Sequence, residues 1–455
     1  MRSALPLVIS ALFAAGLTFP LACSDGVSGG TGGEASSSSS SSGSTTTTSS
    51  STTTSSSGTV VVDSGITNPC KLPGSVQFTD NGVVVVPGGS SPVDFSFLHL
   101  PPGFCAHYFA TVGNARQLRF APGGELFVAS PTGLTTGGGP GGQNAIVVLP
   151  DDDKDGVADT PVVFLGNLPK TQGLLFANNA FYYQDDTKIM RVAYKPGDRA
   201  PGGAGEQVAN ITYYYSSLHW PKTMDIADDG SIYVANGGDQ GEACDTSHPF
   251  HGGIRKLDGT PDGAPIAKGM RNPIAVRCPK GHNQCFALEL AKDYTATAGG
   301  REKMLPIRAG DDWGFPCCAS QNLPYMDIPP TDCSKVVDED VGFLIGDTPF
   351  GVDFAPSTWP GTWANRAIVA THGAAGSWFG ARVVAIAMDP STGLPLPSSN
   401  TNGQNTGGMA DFATGWDDGT LSHGRPAAIE FHPDGRLFVG SDTTGVIFWI
   451  APLEM

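Results

Sequence analysis

The sequence predicts an all-β fold, a six-bladed β-propeller of four-stranded antiparallel blades. Two observations support this prediction: a turn-and-strand pattern occurs six times, and the 455-residue chain is rich in turn formers, with 61 glycines and 36 prolines. Few stretches have the periodicity of amphipathic helices. Roughly 390 residues follow the N-terminal low-complexity region, which is too many for one small core but suits a ring of repeated sheets.

Each copy of the pattern is a turn rich in Gly, Asp or Asn, followed by a short strand that alternates aromatic and aliphatic residues. Such turn residues permit the positive φ angles of tight hairpins, and the strands have a period of two. The copies lie at residues 122–129, 178–184, 228–235, 281–288, 363–370 and 433–440. The first copies are about 50–55 residues apart, which fits four strands per unit plus loop insertions.

Radial closure protects the sheet edges of a propeller. We expect the last strand, residues 445–450, to close the ring by joining a blade that begins near the start of the domain. A seven-bladed ring or an NHL-like repeat protein is the structural alternative.

The N-terminal residues 1–22 have the features of a bacterial export signal. Arg2 precedes an uncharged run from Ala4 to Ala22, which is too short for a membrane span. The run ends at Cys23, and a small residue directly before a cysteine is how bacterial lipoprotein signals end. We expect lipidation of Cys23; an ordinary secretory signal cut nearby is the alternative.

Residues 23–60 are expected to be a disordered tether. The segment 36–57 contains little but Ser, Thr and Gly, and such a tract has no apolar surface to offset the entropy cost of ordering. It would hold the folded body, residues 61–455, away from a membrane. We therefore expect an exported outer-membrane or cell-surface lipoprotein that faces the periplasm or exterior. Its contact with the membrane is expected through the lipid anchor only.

The charge balance argues against nucleic acid as a partner. The chain carries 26 basic and 43 acidic residues, a net charge of −17, and has no basic stripe. The acidity bears mainly on solubility and does not indicate a chemistry.

The cysteines support export. Nine occur, and setting aside Cys23 leaves an even eight, with no Cys-x-x-Cys pair. The simplest interpretation is four disulfides in an oxidising compartment, with the adjacent Cys317 and Cys318 in separate bridges. Connectivity cannot be deduced from the sequence; the one pairing we predict is Cys278–Cys285, because a hairpin could bring these two together.

An acidic loop predicts a structural calcium site. The expected ligands are the side chains of Asp151, Asp153, Asp155 and Asp159 and the carbonyl of Val157. Their spacing is that of an oxygen-rich calcium loop, and Gly156 allows the sharp turn. Val162 stands at the twelfth position, where such loops usually have a glutamate. A solvated acidic turn is the alternative.

Polar motifs flank the repeat strands, where propellers place their binding sites. His219 lies ten residues before Asp229, and the strand of this third repeat is followed by Gly238-Asp-Gln-Gly241. The next unit carries Arg271-Asn-Pro273, and residues 310–316 read Gly-Asp-Asp-Trp-Gly-Phe-Pro. In order and spacing these motifs resemble the soluble pyrroloquinoline quinone (PQQ) glucose dehydrogenase and L-sorbosone dehydrogenase family, across residues 98–450.

The resemblance implies roles for three residues. His219 matches the family's general base, and a neutral imidazole can take the proton of a sugar hydroxyl. Arg271 and Asn272 match residues that contact the cofactor; a guanidinium can bind a quinone oxygen or a carboxylate and stabilise negative charge. The alternatives are a surface or core histidine at a blade mouth and an arginine that caps a loop before a proline.

Three further residues correspond to cofactor-side positions of the family. Arg425, nine residues before Asp434, matches one carboxylate-binding arginine, whereas Ala427 replaces the second. His372 falls near a basic position, and Gln172 resembles a glutamine on the cofactor side. The resemblance therefore implies a PQQ site that includes Arg425, His372 and Gln172.

The chain departs from the family pattern at two loops. Leu218 replaces the acidic residue before the catalytic histidine, and Leu290-Ala-Lys-Asp293 replaces the calcium-linked loop, where Lys292 opposes a hard cation. We expect a PQQ- and calcium-dependent dehydrogenase that oxidises an aldose or related sugar aldehyde and passes electrons to an unknown acceptor. The alternative is a non-catalytic, surface-anchored β-propeller that binds a carbohydrate or protein partner.

Overall fold

A computed structural model describes the folded body of the protein. The described residues are 65–89, 91–133, 141–212, 219–238, 244, 250, 252–292, 301–325, 331–374, 379–401, 404–420 and 422–454. The predicted signal peptide 1–22, Cys23 and the tether 23–60 lie outside these ranges and stay predictions. Within the ranges, no helix is long and apolar enough to cross a membrane.

The described chain is built from β-strands and short 3₁₀ helices at Pro69–Lys71, Phe95–Phe97 and Gly361–Trp363. In chain order the strands are β1 (Val76–Thr79), β2 (Gly82–Val85), β3 (Phe104–Thr111), β4 (Gln117–Phe120), β5 (Leu126–Ser130), β6 (Ala145–Leu149), β7 (Val162–Gly166), β8 (Leu174–Ala177), β9 (Ala180–Asp185), β10 (Lys188–Ala193), β11 (Glu206–Asn210), β12 (Met224–Ile226), β13 (Ile232–Asn236), β14 (Gly253–Lys256), β15 (Ala264–Lys268), β16 (Asn272–Arg277), β17 (Phe286–Leu290), β18 (Glu302–Pro306), β19 (Cys318–Ser320), β20 (Leu323–Pro324), β21 (Val341–Phe343), β22 (Pro349–Phe354), β23 (Arg366–Thr371), β24 (Arg382–Ala387), β25 (Ser398–Thr401), β26 (Gln404–Gly407), β27 (Met409–Ala413), β28 (Pro426–Phe431), β29 (Leu437–Ser441) and β30 (Val446–Pro452).

The strands form six four-stranded antiparallel blades, which confirms the predicted six-bladed propeller. Blades 1 to 3 are β4–β7, β8–β11 and β12–β15; blade 4 is β16, β17, β18 and β21; blade 5 is β22, β23, β24 and β27; blade 6 is β28, β29, β30 and β3. The β25–β26 hairpin extends blade 4, the β1–β2 hairpin extends blade 6, and β19 and β20 pair separately.

The sequence repeat corresponds to one part of every blade. Its copies cover the turn after the first strand and then the second strand, namely β5, β9, β13, β17, β23 and β29. Each turn contains a residue with positive φ: Gly124, Asn179, Gly230, Gly281, Asn365 and Gly435. The recurrence of Gly and Asn therefore reflects a backbone conformation that other residues adopt at a cost.

Ring closure follows the prediction. Strand β30 pairs antiparallel with β3, so that His107 lies opposite Trp449 and Cys105 opposite Ala451. A strand from the start of the domain thus completes the last blade, and its pairing with β30 joins the two ends of the domain.

The apolar core lies between neighbouring blades. Strands β5 and β6 are buried along their whole length because both faces of a blade are covered. Phe127 of blade 1 contacts Phe176 and Phe181 of blade 2, with ring centroids 4.9 and 5.2 Å apart. The blades therefore hold together largely by the burial of aromatic and aliphatic side chains.

One residue at the same position of each first strand faces the channel, and we call this set the axial ring. Its members are Arg119, Leu175, Asp225, Arg277, Asp353 and Glu430. Arg277 binds Asp353 through two hydrogen bonds of 2.8 Å and lies 3.1 Å from Glu430.

Hydrogen bonds from the axial ring also connect adjacent blades. Arg119 donates to the Leu174 carbonyl (3.2 Å), Asp225 accepts from the Cys278 amide (2.9 Å), and Asp353 accepts from the Phe431 amide (2.7 Å). Arg119 Nη1 lies 3.5 Å from Glu430 Oε1, which joins blade 6 to blade 1. The charged ring thus links the blades around the axis.

Four disulfides are formed, as the cysteine count predicted: Cys70–Cys105, Cys244–Cys317, Cys278–Cys285 and Cys318–Cys333. Cys278–Cys285 spans the first turn of blade 4 and confirms the one predicted pairing. Cys317 and Cys318 do enter separate bridges, which agrees with a structural role instead of a metal site.

Candidate functional site

The candidate cofactor residues lie at one end of the central channel, which we call the site face. In each blade the first strand begins and the second strand ends at this face, because adjacent strands are antiparallel. The loops there come from five blades and carry Gln172 (blade 2), His219 (blade 3), Arg271 and Asn272 (blade 4), His372 (blade 5) and Arg425 (blade 6). All six side chains are buried.

His219, Arg271 and Asn272 meet around Gly237 and Gly238. The Gly238 amide donates to the Arg271 carbonyl (2.7 Å), and the Gly238 carbonyl lies 2.9 Å from His219 Nδ1. A Cβ atom at position 237 would lie 2.4 Å from the His219 Cβ and 3.1 Å from Asn272 Oδ1. Glycine at 237 therefore permits the close approach of these two side chains. Of the predicted Gly238-Asp-Gln-Gly241 loop, residues 239–241 lie outside the described residues, as does Leu218.

The contact of His219 determines which ring nitrogen can act as a base. A backbone carbonyl can only accept a hydrogen bond, so Nδ1 carries the hydrogen in its contact with Gly238. In the neutral imidazole Nε2 is then the unprotonated nitrogen. This tautomer is the one that can accept a proton at Nε2.

Arg271 is anchored through its backbone and its side chain. Its amide donates to Glu289 Oε1 (2.8 Å), and its Nη1 donates to the Ala291 carbonyl (3.1 Å). Both acceptors lie at the end of the second strand of blade 4, so one blade supplies the arginine and both of these hydrogen-bond acceptors.

Arg425, His372 and Gln172 are joined by two residues that sequence reasoning missed, Asp442 and Arg116. Arg425 binds the Asp442 carboxylate with Nε–Oδ1 and Nη2–Oδ2 distances of 2.9 and 3.0 Å. Arg116 Nη1 donates to the same carboxylate (3.0 Å), and Arg116 Nε donates to Gln172 Oε1 (3.3 Å). His372 Nε2 lies 3.4 Å from Asp442 Oδ2. We call these five residues the Asp442 cluster.

Among the described residues, the Asp442 cluster contains two guanidiniums and one carboxylate. Burial would raise the pKa of Asp442, but the Arg425 and Arg116 guanidiniums lower it well below its ordinary value. Burial, together with the charge of Arg425, lowers the pKa of His372 well below its usual value, so His372 is neutral at pH 7. Two arginines therefore face one carboxylate. A buried excess charge is unfavourable unless a counter-charge meets it.

The surroundings of the cluster offer further contacts for a planar, anionic ligand. Phe350 stacks on His372 with ring centroids 3.8 Å apart, and the Arg116 guanidinium lies 4.5 Å from the Phe350 ring centre. Asn272 Oδ1 is buried and has no hydrogen-bond partner among the described residues. Two buried guanidiniums beside a stacked aromatic pair fit PQQ, a planar quinone that carries carboxylates, whereas the Asn272 oxygen can only accept a hydrogen bond and would need a ligand N–H group.

Two other polar residues at the site face were not predicted. Gln184, at the end of β9, accepts from the Gln172 and Lys222 amides (3.2 and 2.9 Å) and donates to the Trp220 carbonyl (2.7 Å). Lys222 is fully buried and donates to Asn236 Oδ1 (2.8 Å); burial lowers its pKa to about 7. Gln184 lies at the end of a second strand and Lys222 lies just before a first strand. Their positions relative to the sequence repeat could therefore have identified them as site-face residues.

The loop after Glu289 does not fit a calcium ion next to the cofactor. The Ala291 carbonyl accepts from the Arg271 guanidinium (3.1 Å), and Lys292 is fully buried with its Nζ 5.1 Å from the Tyr325 ring centre. Two cationic groups at this point oppose a divalent cation, whose site requires several oxygen ligands.

The acidic loop lies at the opposite end of the propeller, between β6 and β7. One carboxylate oxygen each from Asp151, Asp153 and Asp155 fall within 4.8 Å of one another. Asp159 is not in this group; its Oδ2 accepts from the Asp152 amide (2.7 Å), and the Val157 amide donates to Asp155 Oδ1 (2.8 Å). Three of the five predicted ligands are thus brought together, far from the site face.

Several solved structures have a fold similar to that of this chain. The calcium structure of a Trichoderma reesei Carbohydrate-Active Enzymes Family AA12 protein is similar at a TM-score of 0.65 and 15% identity, covering 80% of this chain and 99% of that one. The holo form of the pyranose dehydrogenase PQQ domain from Coprinopsis cinerea has a TM-score of 0.62 and 15% identity, covering 78% and 96%. The PQQ-bound aldose sugar dehydrogenase from Streptomyces coelicolor has a TM-score of 0.51 and 17% identity, covering 77% and 99%.

Sequence comparisons add less. Residues 92–264 match a domain of unknown function, DUF7133. No curated protein sequence is significantly similar to the chain. At these identities the structural neighbours establish a shared propeller fold, and function has to be argued from the residues of the site.

Proposed function

We propose that the protein is a PQQ-dependent dehydrogenase that oxidises an aldose or related sugar aldehyde. The observation that supports this most is that residues matching the PQQ glucose and sorbosone dehydrogenases come from five blades to one face. Two propellers of similar fold are described as PQQ-bound or as a PQQ domain, and both are named for sugar substrates. The substrate would be a small sugar, and the electron acceptor is not defined by these residues.

In this proposal the chain supplies binding, orientation and proton transfer. PQQ, when bound, accepts the two electrons and the hydrogen that leave the substrate carbon. Arg116 and Arg425 would hold its carboxylates, since their cluster contains two guanidiniums and one carboxylate. Arg271 and Asn272 would contact the quinone side, as the resemblance implies. His219 Nε2 would take the proton of the substrate hydroxyl, while Nδ1 stays hydrogen-bonded to Gly238.

Calcium enters the proposal as a structural ion. The Asp151, Asp153 and Asp155 carboxylates would bind it at the opposite end of the propeller. An exported protein tethered by lipidated Cys23 would be placed outside the cytoplasm, which agrees with its four disulfides.

The test compares two site variants after reconstitution with PQQ and calcium. His219→Ala is expected to lower aldose-dependent dye reduction by about 10²–10⁴-fold, because it removes only the base. PQQ affinity, measured by quinone absorbance titration, is expected to change little. Arg271→Ala is expected to weaken PQQ binding as well, since its charge meets the cofactor before reaction.

His107→Ala is the matched control, because His107 is a buried histidine that stacks on Trp449 in blade 6, away from the site face. It should retain both PQQ binding and turnover. Wild-type rates in His219→Ala would show that the histidine is structural. Equal loss of cofactor in His219→Ala and Arg271→Ala would contradict the separate roles.

A non-catalytic propeller that binds a carbohydrate or protein partner is the second candidate. Its specific support is that Arg425 is already bound by both oxygens of Asp442 and that Lys292 occupies the calcium-linked loop. Absence of PQQ binding at micromolar concentration would favour this candidate over the enzyme.

A further inference from the structure

A cavity of 870 Å³ opens at the end of the channel opposite the site face. The axial ring forms its floor, with one residue from every blade. The residue after each ring position is apolar and lines the wall: Phe120, Phe176, Ile226, Cys278, Phe354 and Phe431. Because the floor and the wall each take one residue from every blade, the cavity has a mostly polar floor and an apolar wall.

The floor has one more acidic group than basic groups. Asp225, Asp353 and Glu430 face Arg119 and Arg277, and Leu175 is uncharged. Asp353 is saturated by two hydrogen bonds from Arg277 and by backbone amides of Phe354 and Phe431. Glu430 Oε1 lies 3.5 Å from Arg119 Nη1 and 3.1 Å from Arg277 Nη2.

We propose that this cavity binds a small organic monocation with an apolar or aromatic body. A single excess carboxylate matches a single positive charge, and the ligand's N–H groups can donate to the Glu430 carboxylate. Four phenylalanines of the wall each follow a floor residue in their strand, and aromatic faces attract cations as well as apolar groups. A metal ion is disfavoured, because the other carboxylate oxygens are taken by arginines and backbone amides and calcium needs six or more oxygens.

The floor supports a proton linkage for this binding. Burial raises the pKa of Asp225 to about 7 and raises that of Glu430 well above its ordinary value. The free cavity therefore holds a proton near neutral pH instead of a bare excess charge. The other charged groups that face it are Arg119, Arg277 and Asp353 on the floor and Lys280, His282 and Asp389 at the rim. A bound cation replaces the proton, so binding should strengthen as the pH rises through 7.

The experiment uses benzylammonium as the probe and benzyl alcohol as its neutral analogue. Isothermal titration of the protein without added PQQ is expected to show benzylammonium binding at least tenfold tighter than benzyl alcohol. Because burial raises the pKa values of Asp225 and Glu430, affinity should rise between pH 6 and pH 8. The proton released should make the binding enthalpy depend on the buffer's ionisation enthalpy.

Glu430→Gln removes the excess charge and should abolish the preference for the cation. Asp418→Asn, an acid on an exposed loop outside the cavity, is the matched control and should bind like wild type. If Glu430→Gln fails to fold, Phe120→Ala should weaken benzylammonium while sparing methylammonium. Equal binding of the alcohol, or unchanged binding in both cavity variants, would overturn the proposal. These readouts use no PQQ and no turnover, so they do not depend on the proposed dehydrogenase activity.

Discussion

Asp442 contacts residues from three blades at the site face, so Asp442→Asn is expected to destabilise the protein and change its response to an anionic cofactor. Asparagine retains the shape but removes the carboxylate charge that the buried Arg116 and Arg425 guanidiniums bind. Removing one partner of a buried ion pair costs about 3–5 kcal/mol. For about 390 folded residues the entropy of unfolding is about 0.8 kcal/mol/K, so Tm should fall by roughly 4–6 °C.

The loss should be independent of pH across the neutral range. The folded-state pKa of Asp442 lies below its ordinary value, so its stabilisation is complete above the unfolded pKa of about 3.9 and is lost only as the pH falls through the folded value. Calorimetric or fluorescence melting at pH 5.5, 7 and 8 should therefore give the same difference between variant and wild type.

PQQ should restore more stability to Asp442→Asn than to wild type. A ligand that binds only the folded state stabilises it by mass action, and the loss of the Asp442 carboxylate makes the cluster more positive toward the cofactor carboxylates. Asp434→Asn is the control, because Asp434 pairs with Arg436 and His432 away from the site face. It should lose stability without a larger response to PQQ. A melting temperature of Asp442→Asn within 1 °C of wild type, or the same PQQ shift in all three proteins, would refute this account.

Three further outcomes are expected. Asp153→Ala with Asp155→Ala should lower Tm only when calcium is present; an equal shift with chelator would identify a solvated acidic turn. Lys222→Met should lower the slope of the unfolding free energy against pH by up to about 1.4 kcal/mol per pH unit between about pH 7 and pH 10. The reason is that the folded-state pKa of this lysine is lowered, so the unfolded chain binds its proton more strongly. An unchanged slope in denaturant titrations would contradict its burial as a neutral amine. Replacing Cys70 and Cys105 by serine opens a loop of 35 residues and should cost about 3–4 kcal/mol, measured by urea unfolding under oxidising conditions; a cost under about 1 kcal/mol would mean that the loop is held by other contacts.

Local sequence patterns were sufficient for the fold because the propeller repeats a local unit. In each blade the first turn contains a Gly or Asn at positive φ, as at Gly230 and Asn365, and a buried strand follows this turn. Ring closure was predictable for the same reason: the sixth copy of the repeat is followed by one further apolar strand, Val446–Pro452, which pairs with β29 on one side and with β3 on the other. The Cys278–Cys285 bridge was predictable because its two cysteines flank one such turn.

What the sequence by itself determined is therefore the architecture and the candidate residues that lie at marked places in the repeat, His219, Arg271 and Asn272 among them. Only the tertiary structure decided which distant side chains share a charge balance. Asp442 joins Arg116 and Arg425 across 326 and 17 residues of sequence, and the axial ring gathers one side chain from each blade. Spacing along a strand is a local property that the sequence shows directly. The charge balance at either end of the channel depends on several blades at once, because electrostatic interactions in a buried site act through space.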